Sequence, residues 1–297
     1  MTHQQAVPNQ SVAIGVGRER NDDIIHSLAR GIELLRAFGP DNDRMTIAQA
    51  AKAARLTRAG ARRILLTLEN LGYVSCDGRW YWLTARVLEL GQGYLAQPLW
   101  GVVRPTLLSV ARTLNETVSA GVLDGHDVVY TVRTRSSRML QLELRPGARL
   151  PAYPLSLGRV LLAALPRAAL ERYIAQVKFV QFTKCTVVDP AALRARLEQV
   201  RKQGWCHVHD ELEGGVAGVA VPLLDPAGRT VAALNVSINS DRTRLREVKS
   251  TILPLLLEAA ASIRKELAAL QDESDAPIVP GTKLGSMVQP SLMSTWR

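Results

Sequence analysis

Cysteine is scarce in this chain. Of 297 residues only Cys76, Cys185 and Cys206 are cysteine. They are far apart, odd in number and without C-x-x-C spacing, so they predict free thiols in a reducing cytoplasm rather than a disulfide frame or a metal site. No apolar run is long enough to span a bilayer, because Arg, Asp or Glu interrupts every candidate. The opening run MTHQQAVPNQSVAIGVGRER lacks the charged start and apolar core of a signal peptide. There is no internal repeat. No nucleophile, base and orienting group come together as a set, which counts against an enzyme. His207-x-His209 puts two imidazoles on one strand face but has no clear third ligand, so no metal is expected, and no cofactor either. Asp210, Glu211 and Glu213 read as a solvated acidic loop.

What is present is apolar residue and positive charge. Apolar side chains make up 47% of the chain, enough for real cores, and the length suits two domains. The net charge is +10. Residues 24–90 hold 10 Lys/Arg against 6 Asp/Glu, or +4; residues 91–297 hold 25 against 18, or +7; the first 23 residues give −1. Such a balance is compatible with nucleic acid without requiring it.

Residues 57–72, TRAGARRILLTLENLG, form the stretch around which the chain is organised. Ala61, Ile64, Leu65, Leu68 and Leu71 recur at helical spacing and make a stripe that must be buried. Thr57 is a good N-cap, and Gly72 sits where a C-cap glycine belongs. Arg58, Arg62 and Arg63 stand off the stripe in the first two turns, where positive charge opposes the helix dipole. That misplacement suits a partner outside the helix, such as DNA phosphates and guanine edges. Taken alone, the helix fits a solvated amphipathic surface equally well.

The flanking segments favour DNA. Residues 24–39 predict a helix with Ile25, Leu28, Ile32, Leu35 and Phe38 on one face, stopped by Gly39-Pro40-Asp41-Asn42. Thr46 caps a short second helix over residues 47–54. A turn at Arg55-Leu56 then leads into the arginine helix, which is a helix-turn-helix pattern. Residues 73–83 follow, with Asp77-Gly78 between two β-prone runs, the signal of a type I′ hairpin. That hairpin is a wing with Arg79 at its tip. Trp80 and Trp82 share one strand face, and for Trp82 simple packing of the wing onto the helices is preferred.

Thr84 caps a linker helix over residues 85–95 that is apolar on more than one side, which suits packing against a second subunit or bridging two domains. Pro98 breaks it, and residues 99–114 resume with Pro105 as a kink. Strands are expected at 118–123, 128–134 and 139–144. Helices follow at 160–165, 167–176 and 190–203, then strands at 205–209, 215–224 and 230–239. A final helix covers about 244–270, and residues 1–23 and 271–297 read as disordered. The order of elements defines an α+β chain of a winged helix-turn-helix domain (24–84), a linker (85–115) and a mixed second domain (116–270).

Several places in the second half could hold a ligand. Ser156 looks like a helix N-cap, with the Leu157 and Gly158 amides pointing out of the helix end and Arg159 adding a charge, a site for a carboxylate or phosphate. An ordinary cap with a surface arginine is the commoner meaning of so short a motif. Asn235-Val236-Ser237 places two polar side chains on one face of an apolar strand, where they bond either a ligand or each other. Arg133, at a strand end, is a further candidate for an acid group.

The runs SLARGIELLRAFG, TIAQAAKAARLTRAGARRILLTLENLGYV, LTARVLELGQGYL, LPAYPLSLGRVLLAALP and GVAGVAVPLLDPAGRTVAALNVSIN resemble the IclR family of bacterial transcription regulators, and more closely its Pca/Pob-type branch controlling catabolism of aromatic acids. The resemblance covers roughly residues 24–270. It implies an N-terminal winged helix-turn-helix domain, a linker helix and a C-terminal α/β GAF-like effector domain. It also implies a homodimer or homotetramer on double-stranded promoter DNA, in a setting where RNA polymerase is a further partner. The effector it implies is a small carboxylate, an aromatic acid such as protocatechuate, 4-hydroxybenzoate or terephthalate. Aligned on S-x-G-R, it puts the effector pocket at Met139, Leu142, Leu150, Ser156, Leu157, Gly218, Asn235 and Ser237, beside Gly158, Arg159 and Arg133. The DNA contacts expected from the helix-turn-helix and wing are Thr46, Thr57, Arg58, Gly60, Arg62, Arg63 and Arg79. Two positions depart from the family. Gly60 stands where Thr or Ser is expected, and the GVAG run at 215–218 lacks a polar or basic third residue. The rival classes are an enzyme acting on a carboxylic acid and a ligand-free architectural or RNA-binding protein.

Overall fold

The computed structural model describes residues 24–134, 144–241 and 245–272. The expected strand at 139–144, Met139, Leu142 and the two chain ends fall wholly or mostly outside the described residues. The chain divides into two compact units, with the division at Tyr94/Leu95.

In the first unit the helices are α1 (His26–Ala37), α2 (Ile47–Ala53) and α3 (Arg58–Asn70), and the strands are β1 (Arg44–Met45), β2 (Val74–Cys76) and β3 (Tyr81–Leu83). Caps fix the helix starts. Thr46 and Gln49 form a reciprocal capping box at α2, and Thr57 Oγ1 accepts the Gly60 N–H at α3. Gly72, at φ +79°, ends α3 in a left-handed turn with the Tyr73 N–H bonded to the Leu68 carbonyl. Leu34, Phe38, Met45, Ala50, Ala61, Leu65, Leu68, Val74 and Tyr81 make the core. The apolar face expected on α1 is only partly used: Ile25, Leu28 and Ile32 are 66%, 62% and 43% exposed, and the helix buries its C-terminal turn instead.

The three strands pair antiparallel in the order β1-β3-β2. The hairpin turn differs from the expected type I′. Only Gly78 has positive φ, and the Asp77 carboxylate accepts the N–H groups of Arg79 and Trp80 at 3.1 and 2.8 Å. That side chain does the work that a second left-handed residue would do. The expected linker helix opens as a 3₁₀ turn, Ala85–Leu88, and continues as α4 (Glu89–Leu95). Arg86 of that turn donates to the Leu71 carbonyl at 2.8 Å and lies over the Tyr73 ring.

In the second unit α5 (Pro98–Leu114) starts with proline at its first position and runs through Pro105. Then come β4 (Thr117–Asp124), β5 (Asp127–Thr134), β6 (Arg149–Pro151), α6 (Ser156–Ala163), α7 (Arg167–Gln176), α8 (Pro190–Gln203), β7 (Cys206–His209), β8 (Val216–Leu224) and β9 (Thr230–Asn239). A short α9 (Leu245–Glu247) and a π turn (Val248–Ile252) lead into α10 (Leu253–Asp272). Proline at 254 has no N–H to close the regular ladder, which accounts for the π turn just before it.

The six strands form one antiparallel sheet in the order β6-β5-β4-β9-β8-β7. Its strands alternate faces. Tyr130, Ala220 and Ala233 share a core with Leu157, Leu161, Tyr173, Leu193 and Leu197 of α6, α7 and α8. Val219, Val221, Leu234 and Val236 are buried on the other face, where α10 meets β8 and β9. No described helix is long and apolar enough to cross a membrane.

Candidate functional site

The first unit presents a charged edge. Arg58, Arg62 and Arg63 are exposed on α3, opposite the buried Ala61, Leu65 and Leu68, so the apolar stripe anchors the helix and leaves the arginines to solvent. Thr57 and Thr46 sit at the starts of α3 and α2, with their hydroxyls engaged in capping. Gly60 is where Thr57 Oγ1 closes the cap, 3.1 Å from its N–H. Arg79 is exposed at the wing and its guanidinium lies 5.5 Å from the Trp80 ring centre. On β3, Tyr81 and Leu83 face the core, and Trp80 and Trp82 face the other way. Trp82 therefore does not staple the wing onto the helices; it carries Arg44, whose guanidinium carbon is 5.1 Å from the ring centre.

The second unit holds a cavity of about 550 Å³, mouth included, between the sheet, the start of α6 and the β7–β8 loop. Arg133, Leu150, Ser156, Gly218, Asn235 and Ser237 line it together. Strand register explains the grouping. Asn235 lies opposite Ser119, and Ser119 lies opposite Arg133, so the three form one polar row across β9, β4 and β5. Ser119 is fully buried, and its hydroxyl accepts from Arg133 Nη1 at 3.4 Å. Gly218 lies opposite Ser237; a Cβ there would come within 2.6 Å of Ser156 Oγ. Asn235 is 5% exposed, and its Nδ2 donates to Ser237 Oγ at 3.3 Å. Its Oδ1 is buried with no partner among the described residues. Leu144, Leu155, Val208 and Leu212 supply apolar walls, and burial pushes the phenol of Tyr130, also on the wall, up to about 12.

Four expectations at the start of α6 change. Leu155, not Ser156, is the N-cap, and it makes no side-chain cap bond. Leu157 is 1% exposed in the core of α6–α8 and does not line the cavity. Gly158 does not make room for a ligand: a Cβ there would collide with the backbone carbonyl of Ala152. Arg159 is not a surface charge but turns inward. It donates to the Tyr153 carbonyl at 2.9 Å and to Glu211 at 2.6 Å.

The acidic loop is not solvated either. Glu211 is 7% exposed, pairs with Arg159 and also accepts the Val187 N–H. Asp210, at φ +55°, accepts from the Gly215 N–H and the Ser240 hydroxyl. The loop is thus a fixed wall that contributes Glu211 and Leu212 to the cavity, with Val216 at the start of β8 beside them. Sequence reasoning missed those three, along with Tyr130. The available signal was the D-E-L-E-G-G run, whose glycines permit the tight return that Asp210 ties down. His207 and His209 contact one another edge to face with ring centres 6.2 Å apart, and His209 also meets Asp210.

Both units match known proteins. Residues 27–78 match the IclR helix-turn-helix domain, and residues 95–265 match the bacterial transcriptional regulator IclR C-terminal domain. The chain belongs to the IclR family of bacterial transcriptional regulators. It is 40% identical to the Pca regulon regulatory protein of Pseudomonas putida over 247 residues, 82% of this chain and 85% of that one. A crystal structure of a transcriptional regulator from Rhodococcus superposes with a TM-score of 0.75 at 40% identity, covering 83% of this chain and all of the other. An IclR homologue from Microbacterium hydrocarbonoxydans, solved with 4-hydroxybenzoate, superposes with a TM-score of 0.72 at 26% identity, covering 82% of this chain and 99% of that one.

Proposed function

We propose that this regulator controls a catabolic operon for aromatic compounds and that the second-unit cavity binds a small aromatic carboxylate. The observation that carries the reading is the polar row itself: a guanidinium at Arg133 to meet the carboxylate and the unpartnered Oδ1 of Asn235, an acceptor for a ligand O–H, set among apolar walls. Such a site holds an acid at one end and a ring against the walls. The kinship with a Pca regulon protein and with a homologue solved with 4-hydroxybenzoate supports the same class. Ser156, Gly218, Ser237 and Leu150 shape the site, and Leu157, Gly158 and Arg159 hold α6 in place behind it.

On the DNA side, Thr57, Arg58, Arg62 and Arg63 enter the major groove of promoter DNA. The small residue at Gly60 lets the backbone approach, and Thr46 and Arg79 contact the backbone. Exposed Ile25, Leu28 and Ile32 on α1, and Leu88, Leu90 and Leu95 in the linker, suit contacts in a homo-oligomer acting in the cytoplasm. Effector occupancy changes operator affinity, which in turn controls access of RNA polymerase. Calorimetric titration of full-length protein with benzoate, 4-hydroxybenzoate, protocatechuate, terephthalate and adipate tests the effector reading. At least one aromatic acid should bind, with saturable heat that Arg133→Met abolishes. Binding of adipate alone, or of none of the five, refutes it.

A further inference from the structure

The outer face of the wing sheet is the place where arginine and tryptophan are paired without a carboxylate. Arg44 of β1 lies directly opposite Trp82 of β3, its guanidinium carbon over the ring 5.1 Å from the centre; Arg79 lies over Trp80, two residues back along the same face, at 5.5 Å. Both arginines are exposed, and among the described residues neither is in ion-pair contact. Two acids lie close to the pairs in sequence: Asp43, next to Arg44, is exposed and in no ion-pair contact among the described residues, and Asp77 is turned into the hairpin. The Asp77 carboxyl is held below the usual range chiefly by the N–H groups of Trp80 and Arg79, with a smaller contribution from the Arg44 charge.

Attraction between a guanidinium and a ring face occupies none of the N–H donors. An arginine held over a tryptophan is therefore restrained and still able to fork onto a phosphate. The core has no use for this face, because Tyr81 and Leu83 already supply the packed side of β3. It belongs to the same unit as α3 and runs on to the wing residue Arg79.

We propose that this face is a second phosphate-contact surface, in which Arg44, held over Trp82, grips the DNA backbone beside the Arg79–Trp80 pair. The proposal rests on the DNA-binding reading of the first unit. It makes Arg44 a contact residue that α3 does not supply and Trp82 its positioning residue. Contacts to phosphate carry no base information, so the contribution is the same on any sequence.

The test measures binding of the full-length protein to two unrelated fluorescent duplexes of random sequence over a salt series. Arg44→Ala should weaken both equally and reduce the slope of log K against log salt by about one per protomer. Arg44→Lys keeps the charge, so the slope stays and affinity falls less. Trp82→Phe should stay near wild type, whereas Trp82→Leu should fall between wild type and Arg44→Ala. A thermal melt checks folding of the tryptophan variants; if Trp82→Leu unfolds, Arg44→Ala decides, since Arg44 is exposed. An unchanged slope and affinity for Arg44→Ala overturns the proposal, and so does a loss on one duplex only. The double variant Arg62→Ala/Arg63→Ala, run alongside, tests the α3 reading separately: no effect there would refute that reading, while the Arg44 slope would still decide this one.

Discussion

Arg159 places a guanidinium nitrogen 2.6 Å from the Glu211 carboxylate, with the two side chains 3% and 8% exposed. One comes from α6 and the other from the loop that walls the cavity, so a buried ion pair ties the helix to the wall. Removing one partner leaves the other charge buried and unmatched, which costs about 3–5 kcal/mol. Arg159→Met and Glu211→Gln should each lower the free energy of the second unit's unfolding in urea by an amount in that range. The double replacement by apolar residues should recover part of the loss. Equal stability of the single variants and wild type would contradict the pairing.

Gly158→Ala should be among the most damaging small changes in the chain. Its methyl has to displace the backbone at Ala152, and backbone cannot rotate away as a side chain can. Loss of more than about 2 kcal/mol, or failure to accumulate folded protein, is expected, measured by denaturant unfolding.

Arg62→Ala or Arg63→Ala should weaken binding to the cognate promoter by about 1–3 kcal/mol where the side chain meets a base, and so relax specificity at one operator position. A competition assay between cognate and random duplex reads this directly. The fold should be untouched, because both side chains are exposed.

Thiol chemistry should separate Cys185 from Cys206. Burial pushes Cys206 up to about 12, so at pH 8 it is almost wholly protonated and shielded. Cys185 is exposed. Titration of native protein with an aromatic disulfide should consume Cys185 quickly and leave Cys206 unreacted until denaturant is added.

Acid should destabilise the second unit before its carboxylates titrate. Burial lowers the pKa of His126 and of His207, with Asp127 opposing the shift at His126 and His209 adding to it at His207. A histidine lowered in the folded state binds fewer protons than in the unfolded chain, so its stabilisation is present above the unfolded pKa of about 6.5 and is lost as pH falls through the folded value. The melting temperature should therefore fall on going below about pH 6.5, and His126→Gln should flatten that fall.

The winged unit was largely legible from sequence because its signals are local. Thr46, Thr57 and Gly72 are caps, and the period of Ala61, Leu65 and Leu68 fixes which side of α3 is hidden. The hairpin was legible too, but not its turn, since the Asp77 side chain substitutes for a backbone conformation. The cavity was legible only in part. Arg133, Ser156, Gly218, Asn235 and Ser237 come together through strand register, which depends on partners more than a hundred residues away for Ser119 and Asn235. Arg159 misled for the same reason. A helix-start arginine looks like a surface charge until the fold brings Glu211 beneath it, 52 positions along the chain.

Gly218 has one further consequence. Because the strand there carries only a hydrogen, the floor between Ser156 and Asn235 stays open, and a single methyl would already press on the serine oxygen. In the proposed effector site, the room between those two side chains therefore depends on one backbone position. Replacing that residue alone should shift the response toward smaller inducers while leaving the operator sequence it recognises unchanged.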